Sequence, residues 1–279
     1  MVRPISMSGY NKGVMSPCVL LIGGLDPSGG AGLAADQRAC LAAGTWPLPV
    51  ASVITVQSTA GLDSVHPLEA SLVVDQARRV LRDQNVKALK LGALGSRKII
   101  DAVADLIAGL QEPIPVVLDP VMGATRGANG LLPSDALQAL RRLARSCSVV
   151  TPNRKEASVL SGIHVDDSRS AGAAATQLQR SGPRAVLLKG GHLSGPRAID
   201  YLALGTGVKE LSSPRLDVPE FHGSGCTMAS LIAAHLATHD AASPTGQQIM
   251  QAVRYAKQRM FDALQRLRVV GEGLRVLSL

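Results

Sequence analysis

The sequence predicts an α/β fold, a three-layer α/β/α sandwich with a mostly parallel central sheet. Short apolar runs alternate with helical patterns over most of the chain, and strands joined through helices lie parallel with helices packed on both faces. The glycine-rich and polar clusters follow the apolar runs instead of preceding them, which sets one site along the carboxyl ends of the strands. Hydrophobic residues make up 46% of the 279 positions but aromatics only 2%, so the layers must interlock through Val, Leu, Ile and Ala.

Cys18 to Gly23 is a short apolar run ending in glycine, the form of a buried parallel strand. The turn-rich loop Gly24-Leu25-Asp26-Pro27-Ser28-Gly29-Gly30-Ala31-Gly32 leads into a helix reaching about Ala43, with Asp36 roughly one turn inside it. A second strand is expected over Pro49–Gln57, closing on polar Gln57-Ser58-Thr59. Leu68–Asp83 carries a helical pattern, Val86–Leu91 reads as a strand, and Ser96–Leu110 as a helix. Ile114–Leu118 is apolar and closes on Asp119-Pro120. Pro133-Ser134 is the start signal of a helix through Arg145. Ser148–Val150 is a strand running into Thr151-Pro152-Asn153-Arg154-Lys155-Glu156, and Ala171–Arg180 is a helix. The strand Ala185–Lys189 ends in Gly190-Gly191-His192, and Ala198–Leu204 with Val208–Leu211 form an antiparallel pair. His222-Gly223-Ser224-Gly225-Cys226-Thr227 opens a helix rich in Ala and Leu from Met228 to His239. A last helix covers Thr245 to about Arg268. One domain over residues 17–279 is expected after a loose tail, 1–16.

Twenty-nine basic against 21 acidic residues give a net charge of +8. The basic residues are dispersed, and there is little aromatic surface on which bases could stack. Nucleic-acid binding is therefore excluded as the leading reading, while an anionic small molecule suits the charge sign. The four cysteines, 18, 40, 147 and 226, have no C-x-x-C spacing, which fits a reducing, cytoplasmic setting. No apolar run approaches membrane-spanning length.

Four clusters carry candidate chemistry. The glycine turn at 223–225 feeding a helix start offers unpaired N–H groups and the positive end of the helix dipole, an anion site. It is also what a plain turn before a buried helix looks like. Cys226 stands in the first helical turn, where a thiol pKa is expected to fall. Asn153-x-x-Glu156 opens a helix, so Glu156 either complements the dipole or holds Mg²⁺ through water. Asp119 at a strand end either caps a turn or lies near metal or phosphate. Lys189 before Gly190-Gly191-His192 is either a solvated cation or a phosphate contact. The chain has neither a G-x-x-x-x-G-K-[ST] loop nor the protein-kinase signatures.

Taken in order, these blocks resemble the ribokinase-like superfamily, and within it the hydroxymethylpyrimidine/phosphomethylpyrimidine kinases of thiamine biosynthesis. The matching pieces are GLDPSGGAG (24–32) with Ala35-Asp36, Val56-Gln57, Lys90-Leu91-Gly92, Val117–Met122, Thr151-Pro152-Asn153 with Glu156-Ala157, Leu188–His192 and His222–Thr227. The resemblance implies ATP- and Mg²⁺-dependent phosphorylation of 4-amino-5-hydroxymethyl-2-methylpyrimidine, and then of its monophosphate. It implies that Gly24, Asp36, Gln57, Ala93 and Val121 face the substrate, with Asp36 and Gln57 pairing with the ring nitrogen and amine. Gly223, Ser224, Gly225 and Cys226 would form the catalytic anion hole, with Cys226 as base. Lys189, Asn153 and Thr151 would meet the nucleotide, and Glu156 and Asp119 the metal. A homodimer is expected through the antiparallel pair or an exposed sheet edge. Departures bear on the pocket: Ala93 stands where many relatives carry methionine, QSTAG (57–61) replaces Gln-Asn-Thr or Glu-Asn-Thr, and Ser224 replaces threonine. They leave open a pyridoxal-type or other hydroxymethyl-heterocycle kinase, and outside enzymes a pyrimidine-binding regulatory protein.

Overall fold

The computed structural model describes residues 15–123, 131–191, 195–239 and 242–279. Residues 1–14 of the expected tail and His192 lie outside them. In chain order the elements are β1 (Cys18–Leu25), α1 (Gly32–Ala42), β2 (Trp46–Gln57), β3 (Leu62–Pro67), α2 (Ala70–Leu81), β4 (Val86–Leu91), α3 (Arg97–Ala108) and β5 (Val116–Leu118). There follow α4 (Leu137–Arg145), β6 (Val149–Val150), α5 (Arg154–Ser161), α6 (Ser168–Arg180), β7 (Ala185–Leu188), β8 (Arg197–Leu204) and β9 (Gly207–Pro214). The chain closes with β10 (Phe221–His222), α7 (Ser224–Ala237), α8 (Gly246–Leu264) and β11 (Arg275–Val276).

Nine strands form one sheet in the order β3-β2-β1-β4-β5-β6-β7-β8-β9, and β10 pairs with β11 apart from it. From β2 across to β7 the pairings are parallel, while β3, β8 and β9 run antiparallel to their neighbours. The expected sandwich is present, and the antiparallel pair at 198–211 is β8–β9. Two features depart from expectation. β3 forms from Leu62-Asp63-Ser64-Val65-His66-Pro67, whose two interspersed apolar side chains are too weak a pattern to announce a strand. β2 begins at Trp46 and takes in Pro47 and Pro49, earlier than the sequence suggests. Both prolines pair only with β1, because β3 joins β2 at Val53 and beyond; the missing N–H groups therefore fall on an open edge.

Strand parity decides which face each side chain enters. Leu20, Ile22, Leu89, Leu91, Leu118, Val150 and Leu188 pack with α2 to α6, whereas Val19, Leu21, Ala88, Val117, Val149 and Leu187 pack with α1, α7 and α8. Alternation continued one residue past each parallel strand puts Asp119, Thr151 and Lys189 on the α7 side, at the carboxyl ends. The same parity inside β4 turns Lys90 to that side. Both faces are closed by aliphatic side chains, as the composition requires. Among the described residues no helix is long and apolar enough to cross a membrane.

Candidate active site

The site is assembled where α7 starts, over the ends of β4, β5, β6 and β7. Its N-cap, Gly223, has φ +85°, and a Cβ there would run into the carbonyl oxygen of Gly30. Only glycine takes this backbone without strain. No side chain caps the helix, so the N–H groups of its first turn are left for a ligand. Gly223→Ala is expected to cost on the order of 1–3 kcal/mol of stability, read from urea denaturation, and to lower turnover by displacing the first turn. An unchanged denaturation midpoint would contradict the close approach of loop 24–32 to α7.

Gly225 lies over an ion pair. Lys189 Nζ is 2.9 Å from Asp119 Oδ1, and a Cβ on Gly225 would sit 3.0 Å from Asp119 Oδ2 and 3.1 Å from Lys189 Nζ. A carboxylate, a cation and free helix N–H groups thus meet in a space that any larger residue would fill. Thr151 is buried and its hydroxyl is 3.4 Å from Asp119 Oδ1. Burial works to lower the Lys189 ammonium, but Asp119 and Glu156 outweigh it and the net shift is upward.

Asn153 and Glu156 form a capping box at the start of α5: the Glu156 N–H donates to Asn153 Oδ1 at 2.9 Å, and the Asn153 N–H to Glu156 Oε2 at 2.8 Å. Glu156 therefore complements the helix start, one of its two expected roles. It is buried, and that burial, opposed by Lys189 and reinforced by Asp119, pushes its carboxyl up to about 7. Two carboxylates held near one another at the edge of the anion site suit a divalent cation. Among the described residues no three His, Cys, Asp or Glu side chains are grouped to strip one of its water. The donor set fits Mg²⁺ that keeps most of its own hydration.

Cys226 faces α1 and β4. The Gly32 N–H is directed at its sulfur, and Lys90 lies close enough to favour the thiolate. Contrary to the sequence expectation, its pKa does not fall. Burial, with the Asp36 and Asp119 carboxylates, pushes the thiol up to about 12 against the opposing pull of Lys90 and the Gly32 N–H. The helix position is as expected; what the sequence conceals is how much protein and negative charge surround the sulfur.

Asp36 also departs from its implied place. It is fully buried. Lys90 Nζ lies 2.9 and 2.8 Å from its two oxygens, and the Ser230 hydroxyl donates to Oδ1 at 2.8 Å. Both oxygens are thus engaged by β4 and α7, and in this arrangement neither is offered to a ring. Gln57 is likewise engaged: its amide nitrogen is 2.8 Å from His222 Nε2, which is 3.2 Å from Asp26 Oδ2. Gln57 keeps partial exposure. Asp26 ties loop 24–32 together by accepting the N–H groups of Ser28 and Ala31, both at 2.9 Å. Burial raises the Asp26 carboxyl, but the bonds from His222, Ser28 and Ala31 prevail and hold it below the usual range. At the other end of the site a Cβ on Gly24 would stand 3.6 Å from Ala93 Cβ, and the Ala93 carbonyl is fixed by the Ser52 hydroxyl at 2.7 Å. Ala93 and Val121 are both half-buried at strand ends.

Asp26, Lys90, His222 and Ser230 complete this framework and stand outside the site residues that the sequence implies. Lys90 alone left a usable signal: a lysine between Leu89 and Leu91 in a buried strand demands a carboxylate partner.

The fold is that of the ribokinase-like kinases. A family model described as phosphomethylpyrimidine kinase matches residues 26–276, and the chain belongs to that family. A hydroxymethylpyrimidine/phosphomethylpyrimidine kinase from Streptomyces coelicolor is 39% identical over 259 residues, 92% of each chain. The pyridoxal kinase from Staphylococcus aureus in complex with AMP-PCP and pyridoxal superposes with a TM-score of 0.82 at 26% identity, covering 95% of this chain and 94% of that one. Phosphomethylpyrimidine kinase from Clostridium difficile gives a TM-score of 0.74 at 31% identity, covering 88% of this chain and 98% of that one.

Proposed function

We propose that this kinase transfers the γ-phosphoryl group of ATP to the hydroxymethyl group of 4-amino-5-hydroxymethyl-2-methylpyrimidine, and then a second one to the monophosphate. The observation that carries the reading is the juxtaposition of the uncapped α7 N-terminus, the Asp119–Lys189 pair beneath Gly225, and Cys226 beside them. Preorganised N–H groups and a cation aimed at one point supply what phosphoryl transfer needs most, electrostatic stabilisation of equatorial oxygens. Gly24, Ala93, Val121 and Gln57 line the substrate end, with Asp36 serving as the counter-ion of Lys90 instead of a ring contact.

In the transfer the substrate oxygen bonds to phosphorus as the bond to the ADP oxygen breaks. The hydroxyl proton goes to the Cys226 sulfur, acting as thiolate. Burial with Asp36 and Asp119 keeps the resting sulfur protonated against Lys90 and the Gly32 N–H, so the acceptor is the minor thiolate form, which takes the proton as phosphorus arrives. Lys189, Asn153 and Thr151 hold the nucleotide end. Mg²⁺, held through water by Asp119 and Glu156, would neutralise charge on the phosphates. Product analysis tests the two-step reading: hydroxymethylpyrimidine and excess ATP should yield the monophosphate and then the diphosphate, and accumulation of monophosphate alone would remove the second step.

The metal assignment has its own test. Since the Glu156 carboxyl is raised from 4.5 to about 7, the folded chain keeps a proton that the unfolded chain has released between those values. This group therefore costs stability as pH rises through that window, and a cation that binds the carboxylate should offset the cost. Added Mg²⁺ is expected to raise Tm more at about pH 8 than at about pH 5.5, a difference absent from Glu156→Gln. An equal rise at both pH values would exclude Glu156.

A further inference from the structure

We propose that Asp200, backed by Lys257, is a positioning residue for phosphoryl transfer that aims Lys189 through the Gly190 peptide. This rests on the reading of Lys189 as a nucleotide contact. Between β7 and β8 the paired residues end at Leu188 and Tyr201. Two residues past Leu188 the Gly190 N–H donates instead to the Asp200 carboxylate, Oδ1 at 2.9 Å. The other oxygen, Oδ2, takes Lys257 Nζ from α8 at 2.6 Å, and that ammonium also donates to the Ala198 carbonyl at 3.3 Å. Parity sends Asp200 to the α8 side, since Tyr201 packs on the opposite face and Leu202 on the same one.

Three consecutive β8 residues enclose Gly190. A Cβ there would overlap the Ile199 carbonyl oxygen and stand 3.3 Å from the Tyr201 ring, while the N–H is held by Asp200. On the other flank the Lys189 N–H donates to the Pro152 carbonyl at 2.9 Å. Both amides around the Lys189 α-carbon are therefore fixed, one by the strand that leads to Asn153 and one by Asp200. With its backbone set from both sides, Lys189 can only project toward α7, where it meets Asp119. Asp200 is buried and Lys257 half-buried, so the clamp is largely shielded from water, and small misplacements of a group on a transferring phosphoryl are costly.

The test is steady-state kinetics of the full chain. Asp200→Ala is expected to raise KM for ATP roughly tenfold and to lower kcat, with KM for hydroxymethylpyrimidine unchanged. Lys257→Met should act in the same direction, and Lys257→Arg should restore most of the loss. In a Lys189→Met background the Asp200 change should add little, because both act through one group. A lower Tm for Asp200→Ala and Lys257→Met with wild-type KM and kcat would overturn the inference, as would an undiminished Asp200→Ala effect in the Lys189→Met background. If Lys189→Met alone left KM for ATP unchanged, the nucleotide role of Lys189 would fall first and the inference with it, a distinguishable failure. Should Asp200→Ala not fold, Asp200→Asn keeps an oxygen for Gly190 but loses the ion pair. Its KM for ATP should rise about threefold, and no rise would overturn the proposal.

Discussion

Cys226→Ala lowers kcat by about 10²–10⁴-fold, the range a positioned acid–base group supplies, while affinity for the pyrimidine is retained. The first-turn N–H groups of α7 and the Asp119–Lys189 pair survive the change, so KM for ATP should move little. The pH profile carries a second signature. A thiol pushed up to about 12 by burial gains thiolate steadily as pH rises, so wild-type kcat should climb toward alkaline pH and the alanine variant should not follow it. Unchanged kcat in Cys226→Ala would take the sulfur out of the proton transfer.

Lys90→Met should be the most destabilising single change in the site. It leaves the Asp36 carboxylate fully buried with, among the described residues, the Ser230 hydroxyl as its remaining side-chain hydrogen-bond partner. Removing one partner of a buried ion pair costs about 3–5 kcal/mol, measurable by urea denaturation. Because Asp36 links α1 to β4 and α7, turnover should fall too. Burial tends to lower the Lys90 ammonium, but Asp36, with Cys226 and Asp119, more than offsets it, and the lysine stays charged. The double change Asp36→Asn with Lys90→Met removes both charges and should recover much of the loss. A loss below about 1 kcal/mol for Lys90→Met would mean that the pair behaves like an exposed one.

The carboxyl-end site was legible because strand parity and the position of polar clusters are local properties. Alternation through Leu118, Val150 and Leu188 is enough to place Asp119, Thr151 and Lys189 on one face. What the residues then touch is not local. Asp36 and Lys90 lie 54 positions apart, and Lys189 and Asp119 are 70 apart, so neither pairing is written in any window of sequence. The raised Cys226 thiol follows from burial and two distant carboxylates, which a first-turn argument cannot include. β3 was hidden for another reason: it is an edge strand held by backbone pairing to β2, with little apolar pattern of its own. Asp200 sits in an antiparallel strand whose backbone was readable, but its bond to Gly190 depends on where two strands diverge.

The most direct measurement is ADP release by the purified chain with Mg²⁺ and ATP, compared across hydroxymethylpyrimidine, its monophosphate and pyridoxal. Turnover with the first two in one protein, with the hydroxymethyl step lowered about 10²–10⁴-fold by Cys226→Ala, is the predicted result. Turnover with pyridoxal alone would show that the wall at Ala93 admits a different ring, and would contradict the account.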